Sequence, residues 1–142
     1  VTDYKHKVPR KRPCASCPYR KDVASGVWAQ SEYDKLPGYD GDITEQIEAN
    51  AMAPFGCHQQ DGHLCAGWVG YHDPYDMLAL RLAVGGGHVD PAVFEYTTDV
   101  PLWSSGQEAA DHGMLEIDAP GVKAERTIEK LNRLNLPGMT SG

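Results

Sequence analysis

The sequence predicts a mainly α-helical fold: a small single domain of short helices with long loops organised by a four-cysteine metal centre. Three observations carry this. Capping residues followed by apolar residues at helical spacing recur along the chain. The 15 Gly and 10 Pro keep each element short. Four cysteines, at 14, 17, 57 and 65, lie in Gly- and Pro-rich segments rather than in apolar runs. At 142 residues the chain is one domain's worth, and 41% hydrophobic residues make a lean core. No run approaches the roughly 20 apolar residues of a membrane span. The composition equally excludes a coiled coil, a collagen-like chain and a long multidomain enzyme.

Taken in order, residues 1–13 form a basic arm that Pro9 and Pro13 keep from helix, and 14–142 form the domain. The first helix is expected over 26–36, capped by Ser25, with Val27, Trp28, Tyr33 and Leu36 inward and Pro37-Gly38 as its end. A second is expected over 43–51, with Asp42 as cap and Ile43, Ile47 and Ala51 on the buried face. Residues 54–70 read as a loop, long enough to need an organiser. Asp73-Pro74 opens a helix to Val84, apolar nearly all round and therefore central. Gly85-Gly86-Gly87 ends it, and Asp90-Pro91 starts a short helix to Tyr96. Ser105 caps a helix to Asp111, closed by Gly113, and residues 114–117 read as extended. The last helix runs over 120–134, with Val122, Ile128, Leu131 and Leu134 inward and Glu129–Arg133 as an i,i+4 pair.

Charge is unevenly distributed. The net charge is -7, yet residues 1–21 hold seven Lys and Arg against one Asp, a net +6. The remaining residues then carry -13. Lys5, Lys7, Arg10, Lys11, Arg12, Arg20 and Lys21 are accordingly the candidate contacts to DNA, RNA or a host protein. The alternative is a solubilising tail. The opening VTDYKHKVPRKRP lacks a signal peptide's apolar run. A cytoplasmic setting in a bacterial host is expected.

The cysteines read C-x2-C, then 39 residues, then C-x7-C. A secreted disulfide scaffold is denser in cysteine, so metal ligation is the better reading. A C-x2-C turn brings two thiolates to one side, and a distant pair completes four ligands for either zinc or a [4Fe-4S] cluster. The wide C-x7-C does not make a zinc knuckle. Cys17-Pro18 has the proline neighbour seen at cluster cysteines, and Tyr19, Trp28, Phe55 and Trp68 supply apolar cover. The expected cofactor is therefore a [4Fe-4S] cluster on Cys14, Cys17, Cys57 and Cys65, with Zn2+ as the alternative. His58 or His63 could replace a cysteine on zinc, but with four cysteines present both are expected outside the ligand set. A thioredoxin-type C-x-x-C is excluded by the absence of an apolar strand before Cys14.

His72, His88 and His112 read as surface residues near helix ends. The glycine run at 85–87 follows a helix, so it is a stop rather than a phosphate loop. Trp28, Trp68 and Trp103 read as packing residues.

The segments Cys14-Ala15-Ser16-Cys17-Pro18-Tyr19-Arg20-Lys21-Asp22, Ser25-Gly26-Val27-Trp28, Phe55-Gly56-Cys57-His58 and Cys65-Ala66-Gly67-Trp68 carry a resemblance. They resemble an uncharacterised small-protein family of actinobacteria and their bacteriophages, a domain of unknown function. The resemblance covers residues 13–84 well and the last third loosely. It implies a four-cysteine site and a phage or actinobacterial origin, and no activity. Cys14, Cys17 and Pro18 alone are also similar to the opening C-x2-C-P of the [4Fe-4S] uracil-DNA glycosylases. That implies a cluster without glycosylase chemistry.

Four thiolates leave a metal no open position, and no catalytic carboxylate–histidine pair stands out. No catalytic residue is therefore assigned. The expected role is structural or redox-sensing, with a zinc-stabilised protein-interaction module as the alternative.

Overall fold

Six short α-helices and three 3-10 turns supply the regular structure of residues 4–57 and 62–133, the residues described in this computed structural model. The helices are α1 (Gln30–Tyr33), α2 (Ile43–Glu48), α3 (Ala66–Gly70), α4 (Leu78–Gly85), α5 (Gly106–Met114) and α6 (Val122–Asn132). The 3-10 turns span Leu36–Tyr39, Pro74–Asp76 and Pro91–Glu95. Extended pairing among the described residues is limited to isolated bridges. The fold is thus small and helix-rich, as expected.

Several capping signals act as read. Asp42 closes a full capping box with Glu45 on α2. Asp90 caps Ala92 N–H, and Ser105 caps Glu108 N–H at the head of α5. Gly86 and Gly87, the latter at φ +77°, end α4. Ala124, Ile128 and Leu131 form the buried stripe of α6, and Arg133 pairs with Glu129 at 3.1 Å.

Tertiary contacts overrule other local signals. The 26–36 helix shrinks to α1. Gly26 sits at φ +81°, and Ser25 Oγ donates to Gly113 O (3.0 Å) and accepts from Glu116 N (2.8 Å). Ser25 therefore ties the chain to the end of α5, and Val27 and Trp28 are buried ahead of α1 rather than within it. On α2 the buried residue is Gln46, while Ile47 is 53% exposed. The Gln46 amide donates to Gly41 O and Asp76 O and accepts from Leu78 N, so its polar atoms are satisfied without water.

The helix expected from Asp73 is two pieces. Asp73 caps only the 3-10 turn, Met77 is extended, and α4 starts afterwards. It buries Ala79, Leu80 and Ala83 but leaves Leu82 half-exposed, so it is not central. Gly113 does not end α5; it lies within it, where any Cβ would strike the Tyr33 ring. Met114 is the last residue of α5 and residues 115–117 form turns, so no strand forms there, and Val122 is exposed. Leu134 lies outside the described residues.

The core gathers around Trp28, Trp68, Tyr19, Tyr33, Leu36 and Leu80, all fully buried. Asp40 fastens its edge. Its carboxylate accepts from Gly106 N (2.7 Å) and Gln107 N (2.9 Å) at the start of α5, and from Tyr71 Oη (2.9 Å).

Candidate metal centre

Cys14 and Cys17 sit on one tight turn, closed by Cys17 N–H donating to Cys14 O at 2.9 Å. Arg20 N–H donates in turn to Cys17 O at 3.1 Å, and Trp28 Nε1 holds Ser16 O at 2.7 Å. The second pair is organised differently. Cys57 N–H donates to His63 O, Cys65 N–H donates to Phe55 O, and Gly56 and Leu64 form an antiparallel bridge. In such a ladder, side chains two residues apart share a face. Phe55, Cys57, His63 and Cys65 therefore share one, with the two cysteines as diagonal neighbours. The wide C-x7-C spacing is thus closed by backbone pairing rather than by a knuckle. Cys65 also caps α3, so residues 66–70, expected as loop, are helical.

The four thiols meet. Cys17 Sγ and Cys65 Sγ are 3.8 Å apart, far beyond a disulfide bond, and none of the four cysteines is in a disulfide. Cys14 Sγ lies 3.8 Å from Ser16 Oγ and interacts electrostatically with the Cys17 and Cys57 thiols. The order is a string: Cys57, Cys14, Cys17, Cys65. Among the described residues, no three Cys, His, Asp or Glu side chains close around a single point tightly enough to grip one ion as they stand.

The surroundings are apolar. Tyr19 stacks on Tyr71 at 4.7 Å, and Phe55 meets Tyr19 and Tyr39 edge-on. Gly67 on α3 presses against Cys17; a Cβ there would land on its sulfur. The Cys14 thiol is pushed up to about 11, chiefly by its interaction with the Cys17 thiol, with burial adding and Cys57 opposing. Burial pushes the Cys17 thiol well above its ordinary value. Burial likewise raises Tyr19, with further increments from Tyr71 and from Cys65 and Cys17. Its hydroxyl is buried without a hydrogen-bond partner among the described residues.

The histidines do not gather here. His58 lies outside the described residues. His63 Nδ1 is 3.0 Å from Val8 O, so that nitrogen carries the proton and donates to the arm. His72 and His112 are not free surface residues. His72 meets Asp73 O and Tyr39 O, whereas His112 Nε2 is 2.7 Å from Val23 O. His88 is exposed. Trp28 and Trp68 are core residues, and Trp103 is half-buried beneath Lys21, whose Nζ is 5.5 Å from its ring centre.

The basic arm is docked. Lys7 N–H donates to Gly62 O, and Leu64 N–H donates to Lys7 O, so residue 7 pairs alongside the cysteine ladder. Lys5, Lys7, Arg10, Lys11, Arg12 and Lys21 are exposed. Arg20 is not available in the same way. It is partly buried, paired with Asp22 at 2.7 Å and donating to Pro13 O at 3.0 Å.

The sequence reading missed two features: the backbone pairing of 55–57 with 63–65, and the close approach of Gly67. The alternation around Phe55-Gly56-Cys57 is too short to signal a strand. The Cys65-Ala66-Gly67 run is the one visible hint of the second.

Among the described residues, no helix is long and apolar enough to cross a membrane. No curated protein and no solved structure compared with this chain matches it. A family model does match, over residues 9–126, a span that holds all four cysteines and five of the seven candidate basic residues: the chain belongs to DUF6283, a family of unknown function.

Proposed function

We propose that Cys14, Cys17, Cys57 and Cys65 bind one metal centre, a [4Fe-4S] cluster, in a structural or redox-sensing role. The observation that carries this is the convergence of four thiols, none in a disulfide, from two separate segments under aromatic cover. Thiols are no better than small apolar groups for filling a core. Four of them in one string have a purpose if a cation replaces their protons. The string suits a cluster, whose ligands attach to separate irons and spread wider than those of one ion. The orphaned Tyr19 hydroxyl supports the same reading, since a sulfur-rich centre would offer it an acceptor. Four cysteines leave no open coordination position, so the reading is not catalytic.

Zinc is the second reading, and one distance favours it. A tetrahedral zinc with bonds of about 2.3 Å separates its sulfurs by about 3.8 Å, the spacing of Cys17 and Cys65. The centre would then be purely structural, in a protein-interaction module.

The centre joins the arm's docking ladder to the C-x2-C turn. The exposed Lys and Arg of the arm would meet nucleic acid or a host protein beside it, in the cytoplasm of an actinobacterium or of a phage's host. Anaerobic purification with metal analysis tests the first step. A brown protein with about four irons per chain supports the cluster. One zinc in a colourless protein moves the assignment to the second reading. Neither metal, after reconstitution with each, overturns both. Lys5→Glu with Lys7→Glu tests the arm better than truncation, because residue 7 is part of the fold. Loss of salt-dependent DNA binding is expected.

A further inference from the structure

The arm's charges are not spread evenly over the surface. Lys11 and Arg12 line a cavity of about 190 Å³ together with Thr97, Thr98, Asp99 and Val100. Its walls are held by contacts on both sides. Tyr96 Oη donates to Lys11 O at 3.0 Å, which fixes the arm against the 96–100 segment. Arg20 Nη1 holds Pro13 O at 3.0 Å just beyond it. Val100 N–H donates to Thr98 Oγ1 at 3.2 Å, which sets the opposite wall. Lys21 N–H donates to Pro101 O, which ties the segment just after Val100 to the chain following the C-x2-C turn. Neither Lys11 nor Arg12 forms an ion pair among the described residues.

We propose that this cleft binds a phosphate group, with Arg12 and Lys11 as its charged contacts and Thr97 and Thr98 as hydroxyl partners. The proposal deepens the nucleic-acid reading of the arm and rests on it only for the source of the phosphate. The chemistry is that of phosphate recognition. Arg supplies a planar fork, Lys a point charge, and Thr neutral hydrogen bonds. The cavity is below the roughly 300 Å³ of sites that enclose a whole small molecule, so it suits a single group of a larger ligand. The cleft's own acid, Asp99, leaves its net charge at +1. Elsewhere the acidic body repels a polyanion, which directs one to this patch. The same chemistry fits a nucleic-acid backbone and a free or mononucleotide phosphate, and the experiment separates them.

The test uses the full chain, purified anaerobically with whatever metal it carries. Amide NMR shifts are followed on adding inorganic phosphate, a mononucleotide, or a short single-stranded DNA oligonucleotide. Phosphate is expected to move the amides of residues 97–100 and 11–12. K11A/R12A should weaken it by about tenfold or more, as loss of charge-assisted hydrogen bonds implies. D99N should tighten it about two- to fivefold, the scale of one exposed charge, whereas a cation site would respond in the opposite sense. Both variants alter exposed side chains, and unchanged circular dichroism checks the fold. Three results overturn the cleft: no shift with any of the three probes, shifts elsewhere only, or oligonucleotide binding that K11A/R12A leaves intact. The last of these leaves the broader arm reading standing. Phosphate binding at the cleft without oligonucleotide binding supports the cleft and overturns the nucleic-acid reading.

Discussion

Replacing Gly67 with alanine sets two opposing effects against each other. Gly67 lies within α3, where alanine is intrinsically better than glycine by about 1 kcal/mol. Against this, the new Cβ would fall on Cys17 Sγ and 2.8 Å from Tyr19 Cβ, neither of them the free end of a flexible chain. Overpacking costs about 1–3 kcal/mol in general, and two contacts this short put it in the upper part of that range, at about 2–3 kcal/mol. The second effect wins, for a net loss of about 1–2 kcal/mol. In a chain of this length that lowers Tm by roughly 3–7 °C. Because the displaced atom is a thiol of the proposed centre, metal content per chain should fall too. Gly85→Ala is the control: it is also helical, with nothing within 4 Å of its added Cβ, so stability should hold or rise. Thermal melts of the three proteins, with metal analysis of each, make the comparison. A Gly67→Ala protein as stable and as metal-loaded as the parent would refute the close approach of α3 to Cys17.

Ser25→Ala removes a buried hydroxyl that links Gly113 O and Glu116 N, and urea titration should show a loss of about 1–3 kcal/mol. Gln46→Leu keeps the volume but strands Leu78 N–H and the Gly41 and Asp76 carbonyls; a loss of about 2–4 kcal/mol is expected in the same assay. His6 is held below 6.5 by burial, then by Lys5 and His88. Its contribution to stability is present above pH 6.5 and is lost as pH falls through its lower folded value. The protection factor of the His6 amide, which donates to His88 O at 3.0 Å, should therefore fall on acidification once the pH dependence of intrinsic exchange is divided out. In His6→Phe that pH dependence should be gone.

The amount legible in the chain differs between capping chemistry and packing. Asp42, Asp90, Ser105 and the 85–87 glycines mark true ends, because a cap is satisfied within a few residues and needs no distant partner. The four cysteines are legible as a group by residue type, and the structure brings their thiols side by side. Helix lengths are not legible. Ser25 looks like a cap until α5 offers it Gly113 O, and Gly113 looks like a stop until Tyr33 requires a residue without a side chain. Ile47 looks buried by period, yet the buried place on α2 goes to Gln46, whose amide satisfies three backbone groups from two other segments.

By itself, the sequence determined the class of fold, the cysteine set and the basic opening segment, all of which depend on composition and short-range spacing. The tertiary structure alone decided that residues 55–57 and 63–65 pair and that Lys7 joins them, so that the arm is docked rather than loose. It also decided that Arg20 is spent on Asp22 and Pro13 while Lys11 and Arg12 face a cleft. The reason is physical. Each of these outcomes is a competition for one hydrogen bond or one space between segments far apart in the chain, and local sequence carries no record of the competitor.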